Sequence, residues 1–308
     1  MTGTETSIRV ALALCSLGFA AALGACGDDT GSSGDDDPID DPFPPPEAGA
    51  QFRTGELPLG PTEEKTICVI ADLSIDAEIP VVKLESHNAG YTHHYILFKA
   101  SEPMAAVVSE CPDGLFTQHP PIYPGTRDQG PFEMPQGVAI PVKQHQTMIL
   151  QVHLLNATDE PVVEELRINL HAGPGAVADY QKAGVVGGSD FDFEIPANMM
   201  HTETQRCYVP SAMNLFALTS HSHARTLAFD VKGKMGDVYH NDSWSEPNVE
   251  QYAPALALAN YDWLEFSCTW FNETAAPIKY GETANDEMCM MFGYYYPAAG
   301  DVTPCLGL

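Results

Sequence analysis

The stretch THHYILF, residues 92–98, sets His93 and His94 side by side at the start of an apolar, strand-like run. A lone histidine, His153, interrupts a second such run, MILQVHLL. His221 and His223 form an HxH pair in SHSH, and Met288 stands beside Cys289 in DEMC. Imidazole suits copper and zinc alike, and a thioether is a soft ligand that suits cuprous copper. Metal binding is therefore the chemistry these residue types offer.

Their spacing supports that chemistry unevenly. Residues i and i+2 of a strand share a face, so His221 and His223 can chelate one ion. The polar face of an exposed strand would give the same pattern. Adjacent residues of a regular strand point to opposite faces. His93 and His94 can share an ion only at a strand end, a bulge or a twisted edge, and Gly90 just upstream would permit one. Taken alone, His153 is an ordinary core histidine and Met288 an ordinary core methionine.

The elements that must hold these residues are strands. Short runs rich in β-branched and aromatic residues, such as KTICVIADL, GVAIPV, ELRINLH, TLAFDVKG and LEFSCTWF, recur between Pro, Gly, Asn and Asp. This is the pattern of an all-β protein built from antiparallel β-sandwiches or jelly rolls. ALALAN (255–260) reads as one turn of helix. The Gly/Ala-rich segment 172–190 is the best internal boundary. It divides the chain into two consecutive sandwiches, 51–175 and 176–308, each of ordinary domain size.

Composition narrows the partners. The formal charge is −28, with only 14 Lys and Arg in 308 residues. Phosphate backbones are bound by such bases, so nucleic acid is excluded as a partner. Arg9 followed by VALALCSLGFAAALGA reads as a signal peptide over residues 1–25, too short for a membrane span. Its end, LGAC, resembles the lipobox of bacterial lipoproteins, in which the cysteine, here Cys26, is lipidated. That resemblance implies an exported protein of the bacterial cell envelope, held at the membrane by its lipid anchor alone. Residues 26–50 contain eight acids and no base, and read as a disordered acidic linker. Six cysteines follow in the exported part: Cys68, Cys111, Cys207, Cys268, Cys289 and Cys305. They suggest three disulfides, for which fifteen connectivities are possible, and no CxxC pair points to a zinc ribbon.

Read in order, HH, H, HxH and M beside a cysteine resemble the copper type II, ascorbate-dependent monooxygenases, the family of peptidylglycine α-hydroxylating and dopamine β-monooxygenase. HHYILF, MPQGVAIPV, ILQVHLL, HSHARTLAFDVKG and DEMCMMFGYYYP carry the resemblance, over about residues 60–305. It implies two copper ions per chain across a solvent-filled cleft. His93, His94 and His153 would hold an electron-transfer copper. His221, His223 and Met288 would hold the catalytic copper, where oxygen binds and a substrate C–H bond is attacked. Ascorbate or a similar reductant would supply electrons. Gln151 is a candidate to orient an imidazole ligand.

The same resemblance implies the pairings Cys68–Cys111, Cys207–Cys305 and Cys268–Cys289. It also marks a departure. The peptide-hydroxylating branch grips the substrate carboxylate with an Arg two residues before HxH and a Tyr four residues after the Met. Here those positions are Thr219 and Phe292, which tells against a peptide C-terminal glycine and leaves a small organic substrate with O2. Two other readings stand beside the hydroxylase. One is a periplasmic copper-binding or copper-buffering lipoprotein without turnover. The other is a metal-free sandwich, which would leave His93, His94 and His153 more than about 10 Å apart, against metal–nitrogen bonds of about 2 Å.

Overall fold

In the strand Trp263–Asn272 every second residue is buried, from Leu264 through Phe266, Cys268 and Trp270 to Asn272. Such alternation places one face on a core and leaves the other toward solvent. The strand Thr147–Leu155 differs: Thr147 to Leu150 are buried without a break. It is the middle strand of its sheet, which explains its unbroken apolar run. The computed structural model describes residues 41–307, apart from Asp113, Glu282 and Ala284. The signal-peptide stretch, Cys26 and most of the acidic linker lie outside the described residues.

Residues 43–308 build one compact unit whose sheets fall into two groups along the chain. The first group contains a sheet in the order 49–53, 167–172, 79–87, 138–142, 181–182, with 132–133 also paired to 79–87. A second sheet runs 107–109, 64–72, 147–155, 92–99, 121–126. The second group contains a sheet in the order 250–258, 213–222, 289–296, 184–189, 302–304, and another in the order 199–208, 263–272, 226–233, 236–241. Pairing among the described strands is antiparallel save for 181–182 with 138–139 and 185–187 with 302–304, and a single parallel bridge joins Tyr280 and Glu287. Among the described residues no ladder joins the two groups, and the chain passes from one to the other at Ala183. The disulfides present are Cys68–Cys111 in the first group and Cys207–Cys305 and Cys268–Cys289 in the second.

Three features differ from the sequence reading. ALALAN is not helical. Residues 250–258 form a strand paired to 213–218, because alanine's helix preference is a weak prior beside a ladder with a neighbouring strand. Residues 43–50, the proline-rich end of the expected linker, are part of the fold. The carbonyls of Phe43 and Pro44 accept hydrogen bonds from the side chains of Gln51, Arg167 and Asn169, and the first strand begins at Gly49. Finally, the two groups are not parted by an open cleft along their length. Phe132 of the first packs on Phe216 and Tyr294 of the second, with ring centroids 6.0 and 5.0 Å apart, inside a continuous apolar core. Lys99, nearly buried, bridges the same seam to Asp301 at 3.1 Å.

Candidate metal centre

His153 sits directly opposite His94 in the ladder between 147–155 and 92–99. The next pair is Leu154 with Thr92, so His93 is the extra residue of a bulge. A bulge re-aims a side chain that regular pleating would send to the other face. The outcome is a cluster in which ligand nitrogens of His93, His94 and His153 all lie within 4.8 Å of one another. His93 Nδ1 and His153 Nδ1 are 3.4 Å apart. With metal–nitrogen bonds of about 2 Å, small ring rotations suffice for one ion.

Hydrogen bonds fix which nitrogens face inward. His153 Nε2–H donates to Glu64 Oε1 at 2.8 Å, leaving Nδ1 as the lone-pair donor. His94 Nδ1–H donates to the Ser245 carbonyl at 3.1 Å, leaving Nε2. Partners of this kind set the tautomer and orientation of a metal-ligating imidazole. The approach to the pair is fixed too. Glu164, fully buried, accepts the backbone N–H groups of Ala89, Tyr91 and Thr92 at 2.6 to 2.8 Å.

The second set forms where two adjacent strands end together. His221 is the ladder partner of Met290, and His223 lies just past the end of its strand. Their ring centroids are 5.5 Å apart and nearly perpendicular. Met288, 2% exposed, precedes the strand Cys289–Tyr296, which the Cys268–Cys289 disulfide ties to the neighbouring sheet. His223 Nδ1–H donates to the Asp286 carbonyl at 3.0 Å and so presents Nε2. Glu287, fully buried, accepts N–H from His223 and Arg225 at 3.1 and 2.8 Å. Burial pushes its carboxyl upward, against the opposing pull of these donors. Each histidine set thus has a buried glutamate that clamps its backbone.

Both sets open on one cavity of about 590 Å³, lined by His94, His153, Gln151, His221, His223 and Met288. The donor chemistry fits copper: three imidazoles on one side, two imidazoles and a thioether on the other. Gln151 lines the cavity, but the orienting bond to His153 comes from Glu64. Glu64, Glu164 and Glu287 were missed in the sequence. Only Glu287 carried a signal there, as an acid embedded in DEMC ahead of an apolar strand. The other histidines have partners elsewhere: His171 pairs with Glu85, His240 with Asp230, His201 with Glu203, and His87 stacks on Phe43.

Burial holds the His94 imidazole down to about 3, and neighbouring His153 and His93 add to the effect. His221 is likewise held well below the usual range by burial, then by His223 and His94. Both rings are therefore neutral and ready to donate at neutral pH. The unfolded chain takes up these protons near pH 6.5 and the folded chain does not, so stability is full above pH 6.5 and falls below it. Metal-free protein is expected to lose at most about 1.4 kcal/mol per pH unit for each ring between pH 6.5 and 5. Thermal unfolding across that range checks this, and a flat profile would show that the rings are not buried.

The second group is thus a β-sandwich whose paired strand ends present two imidazoles and a thioether beside a disulfide. Residues 192–306 match the family model for the copper type II ascorbate-dependent monooxygenase, C-terminal domain. The matched span contains His221, His223, Met288 and two of the disulfides, while His93, His94 and His153 lie outside it. Among solved structures, the major capsid protein P2 of bacteriophage PM2 is similar over 79% of this chain and 97% of its own, at 9% identity and a TM-score of 0.27, a likeness too slight to bear on function.

Proposed function

We propose that this protein is a copper-dependent monooxygenase that hydroxylates a C–H bond of a small organic substrate, using O2 and an ascorbate-like reductant. The observation that carries the reading is the convergence of two distinct donor sets on one cavity. When bound, copper would supply one-electron chemistry and an open coordination position, so that one oxygen atom enters the product as hydroxyl and the other leaves as water. His93, His94 and His153 suit the site that stores and passes an electron, since three imidazoles serve both oxidation states. His221, His223 and Met288 suit the site facing oxygen and substrate, the thioether favouring the reduced ion. Glu64, Ser245 and the Asp286 carbonyl keep the imidazoles in the tautomers that present a lone pair.

The substrate enters a pocket without a carboxylate grip. Thr219 and Phe292 are direct cross-strand partners, and the Thr219 hydroxyl donates to the Asn248 carbonyl. Phe292 stacks on Phe116, which in turn lies 4.6 Å from the His221 ring. Both positions are thus occupied by the protein's own contacts. The segment ending in LGAC supports export and lipid anchoring through Cys26 at the bacterial cell envelope, as part of the same proposal.

The test is copper per chain after reconstitution and exhaustive dialysis, followed by oxygen uptake with ascorbate. Two coppers are expected, falling to one in His221→Ala. Two coppers without oxygen uptake across a substrate screen would leave a copper-buffering protein. Zero copper would sink the enzyme reading.

A further inference from the structure

Each half of the molecule lays an aromatic ring on the histidines of the other. Phe116, from the short helix Leu115–Gln118 of the first half, covers His221. Trp244, from the 242–249 loop of the second half, faces the first histidine set. Its ring centroid stands 6.2 Å from His93, edge to face, and 6.4 Å from His153, nearly parallel. The next residue, Ser245, supplies the carbonyl that fixes His94. Two consecutive residues thus touch all three imidazoles, and they come from outside the sheets that carry those imidazoles.

The loop is built to stand there. Asn241 spans it, donating to the Ser243 carbonyl at 2.9 Å and accepting the Ser243 N–H at 3.2 Å. The Ser243 hydroxyl accepts the Glu246 N–H at 3.1 Å. At its far end the Asn248 carbonyl accepts from both Thr219 and Tyr239, at 3.0 and 2.9 Å. Thr219 lies two residues before His221 on the same strand, so the loop is anchored on the strand that bears the other donor set. An indole held by such a frame is a rigid plate against which two imidazoles keep their rotamers.

We infer that Trp244 is a positioning residue for the first metal set, and that this set is complete only when the loop of the second half is docked on it. The inference rests on reading His93, His94 and His153 as metal ligands. Removing the plate takes a restraint from His93 and leaves His153 to be oriented by its Glu64 hydrogen bond. Supporting partners of this kind change metal affinity by roughly 10- to 100-fold.

The experiment is a Cu(II) titration of the full chain followed by tryptophan emission. The chain has three tryptophans, and Trp270 is fully buried while Trp263 lies under Arg206. The first equivalent of copper is expected to quench a large share of the emission, and His153→Ala should abolish that phase. Trp244→Phe should keep the affinity, because the ring plate is retained, but lose most of the quenching. Trp244→Ala should weaken the first equivalent by roughly tenfold or more. Wild-type affinity in Trp244→Ala, or wild-type quenching in Trp244→Phe, would overturn the inference while leaving the copper reading standing. A wild-type chain that binds no copper would overturn both.

Discussion

Met288→Ile is expected to yield a folded, disulfide-stapled protein that binds copper at the first site and does not turn over. The side chain is 2% exposed and belongs to the apolar core, so an aliphatic replacement of similar volume should cost under about 1.5 kcal/mol. The Cys268–Cys289 bridge holds the neighbouring backbone whatever residue stands at 288. What isoleucine lacks is a lone pair. Loss of an orienting partner already costs roughly 10- to 100-fold in activity or metal affinity. Loss of a ligand should therefore lower turnover by more than about 100-fold. Copper content, far-ultraviolet circular dichroism and oxygen uptake together check this. Retained turnover would remove Met288 from the site.

The largest effect on stability is expected from Glu164→Ala. The carboxylate is fully buried and accepts three backbone N–H groups, from Ala89, Tyr91 and Thr92. Removing it leaves those donors without an acceptor, at about 1–3 kcal/mol each when desolvated. Some water would enter, so a total of about 4 kcal/mol is expected, or a fall in Tm on the order of 10 °C for a unit of this size. Copper affinity at the first site should fall with it, because residues 88–92 aim His93 and His94. Glu164→Gln should be intermediate, since one oxygen remains but the amide NH2 now faces N–H groups. A change of under about 1 kcal/mol in Glu164→Ala would mean that the three N–H groups reach water.

The sheets were readable because burial of one face imposes a period of two on the side chains, as in Trp263–Asn272. Residues 43–50 were not readable as fold. What they contribute is carbonyl oxygens, which composition does not display. ALALAN misled because alanine and leucine favour helices locally, while the adjacent strand offered a ladder. At the site, the ligand types and the resemblance picked out six residues. The structure brings His93, His94 and His153 together and places His221, His223 and Met288 around the shared cavity. The orienting groups were hidden because they come from far along the chain. Ser245 lies 151 residues from His94, and Glu64 lies 89 residues from His153. Such pairs are set by topology, which a single sequence does not state.

The bulge at His93 has an evolutionary reading. Without it, the pair HH on this strand would send one imidazole toward each face and chelate nothing. The one additional residue that separates the Leu154–Thr92 pairing from the His153–His94 pairing turns a two-sided motif into a one-sided one. Gain of the first site is thus within reach of a single-codon insertion in a sandwich that already carried the histidines. Deletion of Thr92 would remove the bulge while leaving all three histidines in the chain. Chain length at this point, as much as residue identity, encodes the three-histidine cluster.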